Sequence, residues 1–178
     1  IAGVHTVIYL ATLFADRELG FKDSELILTI LLLQLVAVPG ALFFAFVSRR
    51  KGNKFSLLVQ LVIWMTICVG AYATTEKWHF FSIAGLVGLV LGGIQALSRS
   101  TYAKLLEDRK EDPTSFFSFL DVLSKIAIVS GTFIFGLVNS ITGNMRYSVL
   151  TLALFFIIGF FILTTVATSR INTSNVKA

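Results

Sequence analysis

Six apolar segments, at approximately 1–15, 24–48, 55–74, 79–104, 114–141 and 146–167, occupy almost all of this 178-residue chain. A helix that crosses a bilayer needs about 20 mainly apolar residues. Five of the six segments reach that length, and the first is shorter. Inside lipid every backbone N–H and C=O must find a partner within the protein, which favours helices. Nothing in the segments suggests strands, so the expected fold is all-α and membrane-embedded, with six transmembrane helices. The short first segment, and a start at Ile1 with no basic stretch before it, predict a piece of a longer protein rather than a signal peptide.

Composition agrees. Charged residues make up 14% of the chain, against about 25% in ordinary globular proteins. The net charge of +5 raises nucleic acid as a partner, but the basic residues sit in short loops between apolar runs. That placement fits membrane topology, so the expected partner is the lipid bilayer and not nucleic acid. The single Cys68 excludes a disulfide framework within the chain. Gly20 ends the first stretch, Asp23 or Ser24 can cap the second, and Asp112-Pro113 opens the fifth. Residues 169–178 form a polar tail.

Two stretches 91 positions apart match each other. Residues 40–59 run GALFFAFVSRRKGNKFSLLV and residues 131–150 run GTFIFGLVNSITGNMRYSVL. Gly40 aligns with Gly131, Gly52 with Gly143, Phe44 with Phe135, Val47 with Val138 and Asn53 with Asn144. The first loop carries Arg49, Arg50, Lys51 and Lys54 around Gly52, whereas the second carries only Arg146. Basic loops stay cytoplasmic, so the two copies are expected to run in opposite directions. Gly3-Val4-His5 echoes Gly93-Ile94-Gln95, and Asp16-Arg17 echoes Asp108-Arg109. The predicted architecture is therefore two inverted three-helix repeats, an arrangement found in secondary transporters. The side holding Arg49, Arg50, Lys51, Lys54, Arg99, Lys104, Arg109, Lys110, Arg170 and Lys177 outweighs the side holding Arg17, Lys22, Lys77 and Arg146. Both termini and the polar tail are expected in the cytoplasm.

The segments GLVGLVLGGIQALSRSTYAKLL and SFFSFLDVLSKIAIVSGTFIFG, with GVHTVIYLATLFADRELG and GALFFAFVSRRKGNKF, resemble the C-terminal half of a major facilitator superfamily transporter. More specifically they resemble the "unknown major facilitator" family, related to the autophagy-linked vacuolar amino-acid effluxers of fungi. The resemblance implies helices seven to twelve of a twelve-helix transporter, with an N-terminal six-helix half outside this sequence. It implies a secondary carrier of small solutes, with amino acids as a substrate class, in a bacterial cytoplasmic membrane. In the superfamily's loop signature the acidic position falls on Arg49 here, which removes a gating carboxylate from this loop.

Within the apolar runs, Asp121 and Lys125 stand out. Counted from Pro113 at ~1.5 Å per residue, they lie roughly 12 Å and 18 Å into the fifth helix. Ionisable groups at such depth are costly, by about 3 kcal/mol or more, and usually face a partner or a water-filled path. Their i,i+4 spacing allows them to pair, and Arg99 on the fourth helix is a rival partner at similar depth. Two roles stay open, a proton- or substrate-linked switch and a buried structural ion pair. The resemblance places the first, second, fourth and fifth helices around a central cavity. It thereby favours His5, Gln34, Gln95 and Arg99 as pathway candidates and demotes Gln60 on the third. Ala84, Gly88, Gly92 and Ala96 recur at steps of four on the fourth helix, spacing that lets another helix approach closely. Pro39 removes one hydrogen bond from the second helix.

No enzyme is expected. The two histidines, His5 and His79, lie in different segments, and no HExxH, GxSxG, P-loop or metal-ligand spacing occurs. No cofactor or metal is predicted. The competing class is a membrane scaffold, in which Arg99, Gln95 and Asp121 would be buried in dry pairs.

Overall fold

The computed structural model describes residues 11–17, 19–107 and 113–165, with side chains placed for 11–17, 19–103 and 118–165. Residues 11–17 are helical (α1), followed by α2 (Asp23–Lys51), α3 (Asn53–Ala73), α4 (Lys77–Glu107), α5 (Pro113–Thr142) and α6 (Met145–Thr165). No strand occurs among the described residues. Five stretches are long and apolar enough to cross a membrane: α2, α3, α6, Lys77–Ala103 of α4 and Ser118–Thr142 of α5. Most of the first apolar segment, 1–15, lies outside the described residues, as do Asp112 and the tail.

Helices α2 to α6 each start one or two residues before the corresponding apolar segment. Polar first-turn residues belong to a helix without adding to its hydropathy. The cap of α2 is a correction: it is Lys22, not Asp23 or Ser24. The Glu25 carboxylate reaches back to accept the Lys22 backbone N–H at 2.8 Å, satisfying one orphan donor. Asp23 and Glu25 then sit inside the first turn, where the helix dipole favours acids.

Gly52 alone separates α2 from α3. Its φ of 87° is open to glycine, and its N–H donates to the Ser48 carbonyl at 2.8 Å. Gly143 does the same between α5 and α6, with φ 64° and a 2.9 Å bond to the Asn139 carbonyl.

Helices α2 and α4 share the most extensive contact in the structure, and they run parallel. Their backbones nearly touch. A Cβ on Gly88 would lie 2.7 Å from the Leu33 carbonyl oxygen, one on Gly92 would run into the Ala37 carbonyl, and one on Gly40 into that of Leu89. The stripe of small residues thus meets α2 at Gly88 and Gly92, and Ala84 is buried. Ala96 is a correction, since it is exposed. Each step of four residues overshoots a full turn by about 40°, which by Ala96 has carried the stripe out of the contact; Gly93, on a different face of α4, abuts Phe44. Helix α2 continues through Pro39, which is exposed.

Helices α3 and α6 are antiparallel. Lys54, the second residue of α3, donates from Nζ to the carbonyl of Thr164, the penultimate residue of α6, at 2.9 Å. Arg146, the second residue of α6, donates to the carbonyl of Tyr72, the penultimate residue of α3, at 3.3 Å. Between these contacts the rings of Trp64 and Phe156 stack with centroids 5.2 Å apart. The buried positions repeat as well: Asn53, Ser56, Gln60 and Trp64 on α3, and Met145, Ser148, Leu152 and Phe156 on α6. Helix α5 packs chiefly on α6 and barely reaches α4.

Candidate functional site

The polar residues expected along a solute path are distributed over surfaces that this chain leaves open. Gln34 is exposed on α2, Gln95 is half-buried on α4, and Arg99 is exposed one turn further on. His5 lies outside the described residues. Arg99 is eight residues before the end of α4 and Asp121 eight after the start of α5, so both sit roughly 12 Å from their shared end.

Asp121 and Lys125 pair with each other at 3.0 Å, along one face of α5. The rival pairing with Arg99 does not form. The reason lies in the packing: α5 leans on α6, so the α4 and α5 faces do not close on one another. Burial of the pair is corrected too, because Asp121 and Lys125 are 64% and 73% exposed. They project from a helix whose other faces no described element covers. An apolar groove of about 500 Å³ lies between α2 and α4, lined by Leu28, Leu31, Leu32, Leu35, Trp78 and Phe81. None of the described pathway residues, Gln34, Gln95, Arg99, Asp121 and Lys125, lines it.

The basic end of α2 is arranged in detail. Arg49, Arg50 and Lys51 are exposed in its last turn. The Arg50 guanidinium lies over the Phe46 ring at 4.4 Å and the Lys51 ammonium over the Phe55 ring at 5.0 Å. Beneath them the Ser48 hydroxyl donates to Asn53 Oδ1, and Asn53 Nδ2 donates to Thr101 Oγ1 at 2.9 Å. All three side chains are buried, so α2, α3 and α4 are tied together at this end.

At the opposite end Lys77 of α4 bonds Glu25 of α2, at 2.9 and 2.7 Å to the two carboxylate oxygens, and lies 5.0 Å from the centre of the Phe21 ring. Sequence reasoning missed this pair. The signal was available: two helices running the same way, one with an acid and one with a base in its first turn. The groups remain 31% and 41% exposed, so their coupling is modest. A double-mutant cycle with Glu25→Gln and Lys77→Met, read by thermal unfolding, is expected to give a small favourable coupling that shrinks as salt is added.

Gln60, demoted from the path, lies within the chain's own packing. It is fully buried; its Nε2 donates to the Ser56 carbonyl at 3.1 Å, while its Oε1 finds no partner among the described residues. Trp64 Nε1 and Ser148 Oγ are likewise unpartnered there. No group of three or more potential metal ligands occurs among the described residues.

Comparison with known proteins gives this geometry a context. No solved structure matches the chain. An uncharacterized MFS-type transporter of Bacillus subtilis, YxiO, is 35% identical over 92% of this chain and 37% of its own length. Autophagy-related protein 22 of Cryptococcus neoformans is 30% identical over 94% of the chain and 33% of its length. Autophagy-related protein 22 of Saccharomyces cerevisiae is 28% identical over 82% and 29%. The chain therefore spans about a third of the length of these relatives. They are named as transporters or autophagy proteins and none as an enzyme, in keeping with the missing catalytic motifs. The family model described as "Vacuole effluxer Atg22 like" matches residues 1–175, and the chain belongs to this family of major facilitator-type membrane proteins.

Proposed function

We propose that the chain is the C-terminal six-helix half of a secondary transporter, built as two inverted three-helix repeats, which moves a small solute by alternating access. The observation that carries this is the reciprocity of α3 and α6. Exchanging the two helices turns the Lys54–Thr164 bond into the Arg146–Tyr72 bond and returns the Trp64–Phe156 stack to itself. A two-fold axis in the membrane plane between the helices has that effect, and inverted repeats carry such an axis. The matching glycine turns at Gly52 and Gly143 support the same relation. One residue of register separates the turns from the helices that follow, because Asn144 stands between Gly143 and α6 whereas Asn53 begins α3.

The remaining polypeptide of the longer protein supplies the other half of the solute path, completing a site at the midplane. The uncovered polar groups Gln34, Gln95, Arg99 and Asp121 favour a path over a scaffold, which would hold them in dry pairs. Amino acids are the substrate class we favour, proton coupling through Asp121 is the coupling we favour, and the membrane is a bacterial cytoplasmic one with both termini inside. The test uses the full-length protein in proteoliposomes, screened with radiolabelled amino acids and other small solutes, with and without an imposed proton gradient. Uptake of at least one amino acid several-fold above protein-free vesicles is expected. Absence of flux for every solute would return weight to a scaffold.

A further inference from the structure

We propose that the basic end of α2 binds the headgroup of an anionic phospholipid. Arg49, Arg50 and Lys51 place three adjacent positive charges in the last turn. The helix dipole presents only about half a negative charge there, so most of the positive charge is unanswered by the helix. The ion pairs among the described residues are Lys77–Glu25 and Lys125–Asp121, both elsewhere, so no described carboxylate neutralises these three. Lys54 is directed away, to the Thr164 carbonyl.

The aromatic partners identify the missing counter-charge. Phe46 and Phe55 are 49% and 43% exposed, on helices apolar and long enough to span a bilayer. Arg50 and Lys51 lie over those rings, an arrangement that keeps the rings among acyl chains and the cations at headgroup depth. An acidic protein segment would answer the charges but leave the rings uncovered. A phospholipid with a net negative headgroup satisfies both, since its acyl chains cover the rings and its phosphate meets the cations. The site depends only on α2 and α3 crossing the membrane, and not on any transport activity.

The experiment is native mass spectrometry of the full-length protein released from micelles that hold equal phosphatidylglycerol and phosphatidylcholine. Wild type is expected to retain phosphatidylglycerol at least about tenfold over phosphatidylcholine, because each cation near an anionic surface contributes roughly fivefold. The variant R49Q/R50Q/K51Q should lose that preference, R49K/R50K should keep it, and Lys22→Gln at the other end of α2 should leave it unchanged. If the triple variant elutes as aggregate, Arg50→Gln alone is measured, with a loss of about fivefold expected. Equal retention of the two lipids by wild type would overturn the proposal. So would a preference that survives neutralisation of Arg49, Arg50 and Lys51, or one that falls as much in Lys22→Gln.

Discussion

Gly92→Ala is expected to destabilise the protein by about 1–3 kcal/mol, and Gly92→Val by more, although alanine is the better helix former. The cause is local. A Cβ at Gly92 enters the space of the Ala37 backbone carbonyl, and one at Gly88 meets the Leu33 carbonyl oxygen. Backbone cannot rotate aside as a side chain can, so α2 and α4 must separate over the length of the contact. In a membrane that contact matters more than apolar area does, because lipid tails solvate a separated helix as well as a neighbouring helix would. The same substitution at Gly85 or Gly136, where nothing lies within 4 Å, is expected to be neutral or to stabilise by up to about 1 kcal/mol through helix propensity. Gly93→Ala should fall between, since it meets the Phe44 ring, which can shift, though only within a site where Phe44 is 1% exposed. Thermal unfolding in detergent, with size-exclusion chromatography to confirm monodispersity, ranks the five. A Gly92→Ala protein as stable as Gly85→Ala would sink the account of α2–α4 as a backbone-on-backbone pair.

The helices themselves were legible because a bilayer imposes a length and a hydropathy that sequence displays directly. Turn glycines were legible for a similar reason: at Gly52 and Gly143 a positive φ asks for one residue type. Facial detail was less so. Steps of four on α4 run through Gly88 and Gly92, where the two backbones meet, and on to Ala96, past the point where helical drift turns the stripe outward. The resemblance turns the whole third helix outward, and Gln60 is demoted from the path on that ground alone. A helix nevertheless has several faces, and this one buries Ser56, Gln60 and Trp64 in a single line. The pairs Lys54–Thr164 and Lys77–Glu25 join residues 110 and 52 positions apart. No local pattern encodes such pairs; they follow once α3 is known to oppose α6 and α4 to run beside α2. For the candidate path, sequence could identify costly ionisable groups and their i,i+4 spacing, but not which faces of α5 would be left uncovered.

Asp121→Asn is the substitution with the largest expected effect on activity. In the structure the carboxylate holds Lys125 at 3.0 Å on an open face of α5, roughly 12 Å along the helix from Pro113. A pair so exposed contributes little to folding, on the order of 0–1 kcal/mol by the measure of exposed ion pairs. Asparagine keeps the shape and most of the hydrogen bonding, so the fold should be retained. The electrical consequence is different. At membrane depth an ionisable pair is tolerated where it meets water or a charged partner, and under the proposed function an open face of α5 is where such a path would run. Protonating Asp121 would neutralise the carboxylate and release the Lys125 ammonium, changing the net charge of that face by one unit. If this step couples solute movement to protons, Asn fixes the face in its released state. Gradient-driven uptake by the full-length protein in proteoliposomes should then fall to the level seen without a gradient. Solute exchange at equal pH on both sides should persist, since that mode needs no net proton movement. Lys125→Met should instead remove the ammonium but keep the carboxylate, lowering gradient-driven uptake without reducing it to the level seen without a gradient. Uptake by Asp121→Asn that still follows the gradient would rule out Asp121 as the coupling group and send the search to the other titratable residues of the full-length protein.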